Sequence, residues 1–168
     1  MISPETLRRF SCFSPVPESS LKALAMIASE TFVPAGTTIF NERDPADALR
    51  IITEGKVDIR YTLREGETRI VDTLATGDIL GWSALVEPYR MTGTATACTD
   101  TRMIVVEARP LRDLCDQEPL LGYRLMSQAV KLLTDRLEGA RIQLATAFTA
   151  RASSAAFRVR LAREGPDV

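Results

Sequence analysis

"TLATGDILGWSALVEPYRMTGTATACTDTRMIVVEA", residues 73–108, is the stretch that decides the fold. "ATGDIL" turns at Gly77 into a short strand, and "TATACTDTRMIVVEA" supplies two more strands around a Thr99-Asp100 turn. Between them, residues 81–93 open on Gly81, run through small and apolar residues, and carry one arginine, Arg90, ahead of a Thr-Gly pair. A loop of this kind can cradle a phosphate through its backbone N–H groups. Trp82 and Met91 are odd residues for that task.

Upstream the strand pattern continues. "TFVPAGTTIF" reads as strand, Pro-Ala-Gly turn, strand, and "ALRIIT" is a further strand ending at a Glu54-Gly55 turn. "KVDIRYTL" alternates Val57, Ile59, Tyr61 and Leu63 with polar partners, the mark of a half-buried strand. "REGE" with Gly66 forms a hairpin turn into the return strand "TRIVDTLA". Short, evenly spaced strands with glycine turns predict a small barrel or sandwich over residues 31–108.

Helices flank this β region. Ser3 before Pro4 is an N-cap with proline at the first helical position. Leu21, Leu24, Ala25 and Ala28 follow at helical spacing, so residues 1–30 are expected to be helical. "RPLRDLCDQ" predicts a short helix, and Pro119 starts a long one; together they make up residues 109–148. In the long helix Tyr123, Met126, Val130, Leu133, Leu137, Ala140, Leu144 and Ala147 alternate in steps of three and four. A heptad seam of that length exceeds what a small barrel can cover, which predicts a homodimer interface on Met126, Val130, Leu133, Leu137, Ala140 and Leu144. Residues 149–168 read as a basic tail with Arg151, Arg158, Arg160 and Arg163.

Composition removes several functions. The 168 residues contain no histidine, so a Ser-His-Asp triad and a His-ligated metal or haem are out of reach. The three cysteines, Cys12, Cys98 and Cys115, show no CxxC spacing, and no metal site is expected. No tyrosine or cysteine has an evident base beside it, so no catalytic residue and no cofactor are assigned. The apolar runs are too short to span a bilayer and the N-terminus lacks a signal-peptide core, so a cytoplasmic protein without membrane contact is expected. A net charge of -1 offers no bulk attraction to nucleic acid.

The order of helices, strands, short helix and heptad helix resembles the cyclic-nucleotide-binding domain of the catabolite-activator family and of the kinase regulatory subunits. The likeness spans residues 10–148. It rests on "VPAGTTIFNERDPADALRIITEGKVDI", residues 33–59, and on the stretch quoted first, with Gly36, Asp44, Gly55, Gly77, Asp78, Gly81, Ala84, Leu85 and Ala97 in register with the family pattern. Arg43 is a departure, since the family usually has glycine before the aspartate. The resemblance implies a mainly β fold with flanking helices: a double-stranded β-helix, or β-roll, of jelly-roll type, with a long C-terminal dimerisation helix.

It also implies a phosphate-cassette-like segment at 77–97, with the cassette itself at residues 81–93, which in the family reads roughly Gly-Glu-x-Ala-Leu, several residues, then Arg-Ser/Thr-Ala. Here it is Gly81, Trp82, Ser83, Ala84 and Leu85, with Met91 at the arginine position, Thr92 at Ser/Thr and Gly93 at alanine. The family's glutamate, which accepts the ribose 2′-hydroxyl, has become an indole, and its phosphate-pairing arginine has become a thioether. Trp82 either closes the pocket or provides an apolar wall for another ligand. Arg90 is one residue from the lost arginine, and a one-residue shift in a strand turns a side chain to the opposite face. The expected function is a non-enzymatic regulatory binding module whose altered cassette does not take cyclic AMP in the usual way. The alternatives are a cyclic-nucleotide sensor using Arg90 and a ligand-free dimeric subunit that binds a partner. The possible ligand is a small molecule or nucleotide, and the downstream protein partner is unknown. The family's regulators follow the dimer helix with a DNA-binding module, for which residues 149–168 are too few, so specific DNA binding is not expected of this chain.

Overall fold

A computed structural model describes the backbone of residues 2–14, 16–63 and 66–163, and side chains as far as residue 148. Residues 1–127 form one compact unit and residues 128–168 a second. The first unit opens with α1 (Pro4–Arg8) and α2 (Glu18–Ile27). Ser3 caps α1 by accepting a hydrogen bond from the Thr6 N–H at 3.1 Å, with Pro4 in the first turn where a missing N–H costs nothing.

Eight strands follow: β1 (Ala28–Val33), β2 (Thr38–Phe40), β3 (Ala48–Glu54), β4 (Lys56–Thr62), β5 (Thr68–Ala75), β6 (Ile79–Leu80), β7 (Thr94–Ala97) and β8 (Thr101–Glu107). They make two antiparallel four-stranded sheets, one in the order β1-β8-β3-β6 and one in the order β2-β7-β4-β5. This is the β-roll that the family resemblance implied. Residues 64 and 65 of the expected hairpin turn lie outside the described residues.

One boundary moves. Ala28, expected on the apolar face of α2, is extended and pairs with Val106 of β8. The sequence reading carries the helix on to residue 30, but Ala28, Ser29 and Glu30 pair with Val106, Val105 and Ile104 of β8, so the sheet begins at Ala28.

Period-2 alternation divides the core. On β8, Ile104 and Val106 face α1–α2 and pack with Leu7, Phe13, Leu21 and Leu24, while Met103 faces the second sheet and packs with Ile52, Val57, Leu74 and Leu80. β3 follows the same rule. Leu49 and Ile51 join the helix-side core and Ile52 joins the core between the sheets, which places Arg50 on the inner face with Ile52. Burying β3 and β8 on both faces makes them the rigid platform on which the cassette is set.

The chain then forms α3 (Ala108–Gln117) and α4 (Pro119–Arg163). Leu111, Leu121 and Leu125 are buried in the helix-side core of the first unit. The second unit is the continuation of α4, on which Val130, Leu137 and Leu144 are exposed and Leu133 is half-buried. The backbone stays helical through the segment read as a basic tail, as far as Arg163; the arginine side chains of that segment lie outside the described residues. Among the described residues no helix is long and apolar enough to cross a membrane.

Candidate functional site

The cassette hangs between β6 and β7. Gly81 ends β6 with φ +78°, a left-handed conformation that L side chains rarely adopt. A Cβ there would also lie 2.7 Å from the Ala48 carbonyl oxygen of β3, so the turn is drawn tightly onto the platform and only glycine fits. Trp82–Leu85 follow as one turn of 3₁₀ helix, with the Ala84 N–H donating to the Gly81 carbonyl at 3.0 Å. Ser83 and Ala84 are buried, Leu85 is half-buried against the helix-side core, and Trp82 is half-buried.

The chain returns through a short ladder to residues 43–46. The Ala46 N–H donates to Tyr89, the Met91 N–H to Asp44, and the Arg43 N–H to Met91, each at 2.8 Å. Arg43 has φ +72°, which gives a physical reason for the glycine that the family pattern carries at this position. Along this ladder the side chains alternate. Met91 is 3% exposed and packs with Ala46, Ala84 and Ala108, flanked by Phe40 and Tyr89. Its Cε stands 3.4 Å from the point a Cβ on Gly81 would occupy. Arg90 is exposed, and its Nη1 donates to the Arg43 carbonyl at 3.0 Å. Thr92 is exposed as well. The structure thus gathers Gly81, Ser83, Ala84 and Met91 into one packed turn and leaves Arg90 and Thr92 outside it.

Two residues that sequence reading passed over support the cassette. Arg112 of α3 donates from Nη1 to the Ala84 carbonyl at 2.7 Å, and its guanidinium lies 4.2 Å from the centroid of the Tyr89 ring. Tyr89 itself has φ +54°. No local motif marks either residue, because their partnership joins positions that are distant in sequence.

A family model for the cyclic nucleotide-binding domain matches residues 30–118. The CRP-like cAMP-activated global transcriptional regulator of Mycobacterium tuberculosis is 29% identical over 122 residues, which are 73% of this chain and 54% of that protein. This chain therefore spans about half the length of that curated relative. A solved structure from Geobacter metallireducens GS-15 superposes with a TM-score of 0.73 at 33% identity, covering 82% of this chain and 99% of the other. The catabolite activator protein of Thermus thermophilus shares the fold, with a TM-score of 0.65 at 24% identity over 84% of this chain and 62% of its own.

Proposed function

The chain belongs to the cyclic nucleotide-binding domain family, and from that premise we propose that it is a non-enzymatic regulatory module whose cassette keeps the family's backbone but has lost ordinary recognition of cyclic AMP. The observation that carries this reading is Met91. It occupies the arginine position of the family pattern, and its thioether is buried against Ala84 and the start of the cassette at Gly81. A buried thioether offers a phosphate no charge and only a weak acceptor. Trp82 takes the place of the glutamate, so the ribose loses its charged acceptor as well.

The size of the effect follows from the bonds removed. A hydrogen bond to a charged group contributes about 1.5–3 kcal/mol, and two are gone. Together they weaken binding by roughly two to four powers of ten. Arg90 is a poor substitute because it is held on the solvent side by the Arg43 carbonyl. Titration calorimetry of this chain with cyclic AMP and cyclic GMP is the test, and the expected outcome is no heat of binding at about tens of micromolar ligand.

We propose further that the module is a homodimer through α4 and acts on a downstream protein. The exposed apolar residues Val130, Leu137 and Leu144 at heptad spacing support the dimer. A net charge of -1 supports the expectation that this chain does not bind a specific duplex sequence.

A further inference from the structure

The charge missing from the cassette has a counterpart elsewhere in the roll. Arg50 sits on the inner face of β3, and its side chain is only 11% exposed. Its guanidinium donates from Nη1 to the Ala48 carbonyl at 3.1 Å and from Nη2 to Asp47 at 3.0 Å, and lies 5.8 Å from the Phe40 ring centroid. The same Ala48 carbonyl abuts Gly81, so this cation stands beside the root of the cassette. Asp47, the carboxylate paired with it, is 68% exposed and spends much of its charge on solvent.

Arg50 also lines a cavity of about 380 Å³ at the β1 and β2 edge of the roll. A volume of that order suits a small ligand. Ser29 and Thr31 share the inner face with Arg50 by register through Val105 and Met103, and Thr38 of β2 stands opposite. Hydroxyls therefore accompany the guanidinium, and the half-buried Val105 supplies an apolar patch, with the buried Met103 beneath the floor. Glu30 reaches the rim, but it pairs with Ile104, whose side chain faces the helices, so alternation directs its carboxylate away from the inner face.

A guanidinium has five N–H donors in a planar fork, and two are engaged here. A fork with free donors, at an open cleft that carries hydroxyls and an apolar patch at Val105, matches one ligand chemistry best. We propose that this cleft binds a small monocarboxylate with an apolar body, its carboxylate held by Arg50 and its body against Val105. The inference extends the reading of the roll as a ligand-binding module and rests on that reading for its regulatory meaning, while the binding itself is tested apart from the cassette.

The probes are hexanoate and benzoate, with hexanamide as the neutral isostere of the first and cyclic AMP as the cassette ligand. Saturable thermal stabilisation of the full chain by hexanoate or benzoate is expected, with hexanamide at least about tenfold weaker because it lacks the charge-assisted contact. Arg50→Leu should weaken the carboxylates by about tenfold or more, and Arg50→Lys by less, since an ammonium keeps the charge but not the fork. Thr31→Phe blocks the cavity without touching Arg50 and should have the same effect as Arg50→Leu, which covers the case of an Arg50 variant that does not fold. No stabilisation by either carboxylate at about 10 mM, equal binding of hexanamide, or undiminished binding by the folded variants would overturn the proposal and leave Arg50 as an ion-pair partner of Asp47 alone. Cyclic AMP binding by the unmodified chain would overturn the cassette reading and leave the carboxylate result standing.

Discussion

The Arg112 guanidinium lies 4.2 Å from the centre of the Tyr89 ring while its Nη1 donates to the Ala84 carbonyl at 2.7 Å. One side chain of α3 therefore grips both ends of the cassette, the helical turn at Ala84 and the return strand at Tyr89. Arg112 therefore ties the cassette to α3.

Replacing that grip with Arg112→Ala removes a charged hydrogen bond and a cation–π contact, contributions of about 1.5–3 and 0.5–2 kcal/mol that overlap in part. The expected loss is about 2 kcal/mol in urea denaturation, with the midpoint lowered and the slope unchanged. A midpoint equal to wild type would mean that water replaces the guanidinium at no cost.

The heptad seam yields a second expectation. Leu137 is 52% exposed on its own helix, and a parallel copy of the chain would bury it. Wild-type protein should sediment as a dimer at about tens of micromolar, and Leu137→Glu, which places like charges in an apolar seam, should sediment as a monomer. A monomeric wild type at that concentration contradicts the proposed dimer.

The cysteines give a third. Burial pushes the Cys12 thiol up to about 12 from its ordinary 9.0. The unfolded chain ionises Cys12 above pH 9.0 while the folded chain keeps the proton to about pH 12, so this residue's contribution to stability is intact below pH 9.0 and declines between those values. Cys98 is exposed, with its thiol raised first by loss of solvation and then by the Asp58 carboxylate. Alkylation at neutral pH should modify Cys98 first, more slowly than a free thiol, and reach Cys12 only on unfolding. Rapid labelling of Cys12 in the native protein would show that the helix-side core opens locally.

The roll was legible in the sequence because its signals are local. Gly36, Gly55, Gly77 and Gly81 all adopt positive φ at turns where the strand pattern breaks, and Val57 and Ile104 fall where period-2 alternation places buried residues. The end of α2 was not legible, since Ala28 suits a helix as well as a strand and only its partner Val106 decides between them. The cassette's backbone could be read from Gly81, Ala84 and Leu85. What could not be read was Arg112 stacking on Tyr89, or Arg50 turning inward beside Asp47, because each depends on contacts that the chain makes only once the sheets and helices have closed.

On the proposed reading two side chains, Trp82 and Met91, separate this cassette from one that takes cyclic AMP. Calorimetric titration of cyclic AMP into the Trp82→Glu, Met91→Arg double variant tests it most directly, beside the unmodified chain. No heat is expected from the unmodified chain at about tens of micromolar, and a measurable affinity is expected in the variant, because restoring two charged contacts regains about two powers of ten or more. Tight binding of cyclic AMP by the unmodified chain, or a folded double variant as silent as its parent, would contradict it.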